Sequence, residues 1–150
     1  MSSAESSTVS FGDTLYVRDH CLCLHVQRAA RALARRFDDA LRPLELTNGQ
    51  FSLLMSLNRP EPAPMSSVAK LLAMDRTTLT AALKPLERRG LIRNEANAGD
   101  GRVRLLVLTP EGRSVLAEAL PIWKAVHAEI EAGLPGNSGH TLRASLQAFL

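Results

Sequence analysis

Two stretches hold side chains whose types and spacing could do chemistry. The first is His20-Cys21-Leu22-Cys23-Leu24-His25, four metal- or redox-type residues in six positions. On a helix, Cys21 and His25 share one face and His20 and Cys23 another. A tetrahedral zinc site therefore cannot be closed by this segment alone, and no metal is expected. An i, i+2 cysteine pair points apart on a helix, which argues against an internal disulfide. Free cysteines are among the most buried residue types, so Cys21 and Cys23 read first as small apolar residues packed in an interface. The alternative is a reactive thiol, which requires a lowered pKa and access to solvent.

The second stretch is basic. Residues 65–104 hold eight Lys and Arg against four Asp and Glu, whereas residues 1–64 balance at seven each and residues 105–150 hold three against four. The whole net charge of +3 therefore resides in the middle third. A local arginine excess is the footprint of a phosphate-facing surface. Within it, Thr77, Thr80, Ala81, Lys84 and Arg88 recur at helical spacing, a polar and basic face of mostly short side chains suited to a DNA major groove. Asp100, Arg102 and Arg104 follow around a glycine-containing turn, where Arg102 could extend into a minor groove.

The elements that must position these groups are mostly helical. Residues 1–12 are serine-rich without apolar periodicity and read as a loose arm. From about Asp13, an apolar stripe of Leu22, Val26, Ala29, Leu33, Phe37, Ala40 and Leu44 marks one long helix ending near Pro43. So long a stripe needs cover from other helices or from a second chain. Thr47 and Gln50 form a capping box for the next helix, with Leu46 and Phe51 as its hydrophobic staple. Three prolines in residues 60–64 exclude a helix or a central strand. Ser66 or Ser67 should cap a short helix, Ala73-Met74 is a tight connection, and Asp75 caps a helix reaching Arg89, closed by Gly90. Leu79, Leu83 and Leu86 face inward on it, and Pro85 should bend it at 81–85.

This pair of helices has a helix-turn-helix pattern. A strand at 91–93, the turn Asn97–Gly101 and a returning strand at 103–108 make a hairpin behind it. Thr109-Pro110-Glu111 opens another long helix with the stripe Val115, Leu116, Ala119, Ile122, Trp123, Val126 and Ile130. Pro121 should kink it, and a short amphipathic helix with Leu142, Leu146 and Phe149 closes the chain. The fold class is mainly α (α+β), a winged helix-turn-helix with long terminal helices.

The segment Leu86-Glu87-Arg88-Arg89-Gly90-Leu91-Ile92, followed by Asp100-Gly101-Arg102 and then Leu108-Thr109-Pro110-Glu111-Gly112, resembles the MarR family of bacterial transcriptional regulators. The likeness extends over about residues 13–150. It implies a homodimer on double-stranded DNA, reading a pseudo-palindromic operator, with a helical dimerisation region at 13–46 and 110–150 and a DNA-binding lobe at 47–109. It also implies that Thr77, Thr80 and Lys84 face the major groove, that Arg76 meets phosphate or a base edge, and that Asp100 orients the tip carrying Arg102. A small aromatic or anionic effector would sit between dimer region and lobe, with His25, Arg28, Phe51, Met55 and Trp123 as candidate liners. The family includes hydroperoxide sensors with a cysteine near the place of Cys23. Gln27 and Phe37 stand where those sensors have tyrosines.

The exclusions are equally physical. No apolar run is long enough to span a bilayer, and the N-terminus has no secretory pattern. Two cysteines make no disulfide framework, so the chain reads as cytoplasmic. Nucleophile-elbow, zinc-protease and phosphate-loop motifs are absent, so neither an enzyme nor a cofactor is implied. A winged helix that binds a protein instead of DNA remains the competing class.

Overall fold

The computed structural model describes residues 8–150. Residues 1–7 of the expected N-terminal arm lie outside the described part. The described residues divide into two compact units, the first ending at Leu33 and the second spanning Ala34–Leu150.

The first unit begins with α1, Phe11–His20, two residues ahead of the expected start. Ser10 and Asp13 form its capping box, with Ser10 Oγ accepting from the Asp13 amide and the Asp13 carboxylate accepting from the Ser10 amide. The single long helix expected here is interrupted. Cys21 adopts extended backbone, φ −70° and ψ 107°, and α2, Leu22–Leu41, starts after it. The break needs neither proline nor glycine: the Cys21 amide still closes α1 on Val17 O, and its carbonyl accepts the His25 amide to start α2. The apolar residues Phe11, Tyr16, Val17, Leu22, Val26 and Leu33 are exposed in the single chain.

The second unit has one core. Phe37 and Leu41 from the end of α2 pack with Phe51, Leu53 and Leu54 of α3 (Asn48–Ser56), Val68 of α4 (Met65–Leu71), Leu79, Leu83 and Leu86 of α5 (Arg76–Arg88), and Leu116 and Ala119 of α6 (Pro110–Ala132). The three α5 leucines lie at i, i+4 and i+7 and are fully buried, as their spacing requires. The Thr47–Gln50 capping box forms as expected, with Thr47 Oγ1 3.2 Å from the Gln50 amide. A 3-10 turn, Arg42–Leu44, containing Pro43 closes α2 and leads to Glu45 at φ 53°.

Two differences from the expected elements have local causes. The proline-rich loop ends in a two-residue strand β1, Ala63–Pro64, at the edge of a sheet ordered β1–β3–β2. An edge position tolerates a residue without an N–H, so Pro64 can stand opposite Leu105. The helix α4 starts at Met65 after Pro64, so neither Ser66 nor Ser67 is its N-cap; Ser67 Oγ instead donates back to Pro64 O at 2.8 Å. As expected, Pro85 lies inside α5, which runs on to Arg88, and the Arg89 amide bonds to Pro85 O at 3.1 Å.

The hairpin pairs β2, Ile92–Ala96, antiparallel to β3, Arg104–Leu108, with Ile92 opposite Leu108 and Ala96 opposite Arg104. Thr109 caps α6, with Pro110 at its first position and Gly133 beyond its end. A short turn at Pro135–Asn137 leads to α7, Gly139–Gln147, whose Leu142 and Leu146 are exposed, as is Phe149 beyond it. Among the described residues no helix is long and apolar enough to cross a membrane.

Candidate nucleic-acid interface

The helix α5 is presented by its N-cap and by the turn before it. Ala73 at φ 51° reverses the chain after α4, and Asp75 caps α5. Asp75 Oδ1 accepts the Thr78 amide at 2.8 Å, and Oδ2 accepts the Thr78 hydroxyl at 2.7 Å. These bonds hold the Asp75 carboxyl below its ordinary 3.8. A carboxylate whose folded pKa is depressed stabilises the fold above 3.8 and loses that contribution as the pH falls through and below it. The stability difference between the parent and Asp75→Ala is therefore expected to be full at neutral pH and to shrink on acidification. Urea midpoints measured from about pH 7 down to about pH 3 check this.

Thr77, Thr80, Lys84 and Arg88 are all exposed on α5, as is Arg76 at its first position. The Thr80 hydroxyl donates to Arg76 O at 2.8 Å. Its proton is thus used within the helix, leaving Thr80 an acceptor and a methyl to offer outward.

The wing tip is built from its own side chains. Asn97 Oδ1 accepts the Gly99 amide at 2.8 Å, and Asp100 Oδ1 accepts the Arg102 amide at 3.0 Å. Arg102 Nε also approaches Asp100 Oδ1 at 3.4 Å, while the Arg102 side chain is 94% exposed. Asp100 therefore both anchors the tip backbone and pairs with its arginine. So exposed a pair contributes little stability, and its use is to aim Arg102.

Arg104 is bonded within the hairpin. Its Nε donates to Asn94 Oδ1 at 2.8 Å and its Nη2 to Asn94 O at 3.0 Å, tying β3 to β2 in a half-buried position. It still helps line a notch of about 120 Å³ shared by Met65, Ser66, Arg76, Arg102 and Val103. The notch thus brings residues of α4, the start of α5 and the wing together, three of them arginines. Ser66 was legible only as a candidate cap, because nothing local to it announces the arginines folded against it.

A separate hollow of about 360 Å³ lies against α3 and α6, lined by Phe51, Ser52, Met55, Ser56, Leu71, Leu120 and Trp123. Trp123 stacks with Phe51, ring centroids 6.0 Å apart, and with His127 at 4.5 Å. Phe51, Met55 and Trp123 thus come together as expected. His25 and Arg28 are exposed residues of the first unit. The lining is mostly apolar, with Ser52 and Ser56 as its polar residues.

Cys21 is half-buried and Cys23 exposed. Cys21 Sγ accepts the Leu24 amide at 3.4 Å, and Cys23 Sγ accepts from Gln27 Nε2 at 3.2 Å. The backbone break at Cys21 removes the premise that both thiols project from one regular helix. Among the described residues, no group of three or more His, Cys, Asp or Glu could hold a metal ion.

Comparison with known proteins places this architecture. Residues 46–103 match the model of the MarR family. The chain is 38% identical to the transcriptional regulator MosR of M. tuberculosis, solved in complex with DNA, over 87% of this chain and 93% of that one, with a TM-score of 0.79. The chain belongs to the MarR family. A probable transcriptional regulator from Pseudomonas aeruginosa is 29% identical, covering 88% of this chain and 98% of that one, with a TM-score of 0.77. The transcriptional regulator HosA of Escherichia coli is 33% identical over 85 residues, 57% of this chain. That match spans 63% of HosA. The MarR family comprises winged helix-turn-helix transcriptional regulators, and in this member α4 and α5 are the helix-turn-helix and β2–β3 the wing.

Proposed function

We propose that this chain is a sequence-specific DNA-binding transcriptional regulator, acting in the cytoplasm as a homodimer on a pseudo-palindromic operator. The observation that carries the reading is the shared notch of Arg76, Arg102, Arg104 and Ser66, where the start of α5 meets the wing. A phosphate seated there would bring α5 to the major groove on one side and Arg102 to the minor groove on the other. Thr77, Thr80 and Lys84 then read base edges, and Arg88 lies toward the following phosphates.

The dimerisation region is assigned to 13–46 and 110–150, and the reading lobe to 47–109. Supporting the dimer are the exposed apolar side chains of α1 and α2 and, separately, those of α7. The hollow against Trp123 is assigned to a small aromatic effector whose binding shifts the pose of the lobe. The reading gives the chain no catalytic role.

Electrophoretic shift with the upstream promoter DNA, repeated across salt concentrations, tests this. A steep linear fall of log K with log salt is the expected result. A flat response, or no shift, would favour a protein-binding winged helix instead. Pro85→Ala is expected to keep DNA binding, because the groove-facing turns of α5 precede the proline; the same shift assay checks it. Complete loss would show that the proline itself positions the reading side chains.

A second reading, regulation by thiol oxidation, is favoured by one observation. Cys21 sits just ahead of α2 with the Leu24 amide directed at its sulfur, and Cys23 beside it is exposed, so one thiol is open to solvent. Peroxide treatment should then lower operator affinity, with a thiol reductant restoring it. Unchanged affinity would remove the redox reading and leave the DNA-binding one standing.

A further inference from the structure

The C-terminal end of α5 is tied to the helical elements on two sides, and Arg89 makes one of the ties. Arg89 is the C-cap residue of α5. Its Nη1 donates to Glu45 O at 2.6 Å and its Nη2 to Leu44 O at 3.2 Å, across more than forty residues of sequence. Those two carbonyls end the 3-10 turn that closes α2, and Glu45 holds a left-handed φ of 53°. A non-glycine residue keeps that conformation only where its surroundings fix it.

The second tie is one residue further on. Gly90 O accepts from Thr109 Oγ1 at 2.7 Å, and Leu91 O accepts the Thr109 amide at 3.1 Å. Thr109 is the N-cap of α6. The end of α5 is therefore bonded both to the end of α2 and to the start of α6. The other end of α5 is capped only by Asp75, its own neighbour in sequence. The buried Leu79, Leu83 and Leu86 hold the inner face of α5, and these ties add a second constraint at its C-terminal end.

We propose that Arg89 is a positioning residue for DNA reading: it fixes the direction of α5 against the end of α2, and so the half-site separation that two copies recognise, without touching DNA. The inference rests on the DNA-binding reading above. A planar guanidinium supplies two donors in a fixed fork, which matches two successive carbonyls, whereas a lysine ammonium meets them as a point charge. The adjacent Arg88 is exposed and, among the described residues, makes no side-chain hydrogen bond of this kind, so the two neighbouring arginines have different assignments.

The test uses Arg89→Met and Arg89→Lys in the full chain. Duplexes are selected from random-sequence DNA by the parent protein, then remade with the half-site separation changed by one or two base pairs. Both variants are expected to bind the selected duplex about tenfold more weakly or worse, with the deficit reduced on an altered separation. The slope of log K against log salt is expected to stay at the parental value, and lysine is not expected to restore binding.

A slope reduced by about 0.9 per chain, with lysine restoring affinity and the loss uniform across separations, would make Arg89 a phosphate contact and overturn the proposal. Unchanged affinity in both variants would also overturn it. If the parent selects no DNA at all, the proposal falls together with the reading beneath it, an outcome distinct from either of those. Helix content and melting of each variant are followed in parallel. Should Arg89→Met not fold, Arg89→Lys alone discriminates, because a phosphate contact would survive that change and the two-carbonyl fork would not.

Discussion

Replacing Gly112 by alanine is expected to destabilise the fold by about 3 kcal/mol and to lower its melting temperature by roughly 10 °C. Gly112 is buried in the first turn of α6. A Cβ there would lie inside van der Waals contact of Leu91 O and 2.8 Å from Leu108 Cδ1. Neither neighbour can yield cheaply. Leu91 O already accepts the Thr109 amide, and moving α6 outward would stretch the Thr109 Oγ1 bond to Gly90 O as well. Leu108 is buried in the core at the end of β3. The backbone itself is not the difficulty, since Gly112 is in ordinary helix; the constraint is the closeness of two chain segments. Thermal unfolding followed by far-ultraviolet circular dichroism measures the change. A melting temperature within about 2 °C of the parent would show that the α6 start can slide over Leu91.

The second large effect is expected at the wing. Arg102→Ala should weaken operator binding by about a hundredfold in the dimer, since each chain loses one charged groove contact and the two losses combine. If Arg102 meets phosphate, the salt slope falls by about 0.9 per chain. If it enters the minor groove, the slope changes less, and the preference for A·T pairs flanking the half-sites relaxes. Fold stability should be almost unaffected, because the Arg102 side chain is 94% exposed and its partner Asp100 can still cap the tip through the residue 102 amide. Quantitative shift titrations at two or more salt concentrations, alongside melting curves, separate the cases. Unchanged affinity and unchanged flanking preference would show that the wing is docked wrongly in the proposed complex.

What could be read in the residues, and what could not, divides along physical lines. Helix caps are local: Thr47 with Gln50, Asp75 with Thr78, and Thr109 with Gly112 each join residues three apart, and each forms. Apolar spacing is local too, so Leu79, Leu83 and Leu86 were placed inward correctly. The residues Asp100 and Arg102 carried their own geometry, because the turn that aligns them lies between them. What the residues do not announce is a distant partner. The guanidinium of Arg104 bonds to Asn94, ten residues earlier and across the hairpin. The partners of Arg89 are at residues 44 and 45. The strand at Ala63–Pro64 was hidden by its own prolines, since β3 supplies the only ladder it joins. The break at Cys21 had no sequence signal, because the usual breakers, proline and glycine, are absent from that segment.

That break has a consequence for how the N-terminal helix holds together. The ten residues of α1 are led by a complete capping box, Ser10 with Asp13, but none of them is buried within the chain. A helix of that length, cut off from cooperative propagation into α2, is marginal on its own in water. Its order is then borrowed from whatever covers Phe11, Tyr16 and Val17. In the proposed dimer that cover is a second chain, so mass action governs α1. Its amide protection would report the concentration of assembled protein, while that of α5 would report the stability of the individual fold.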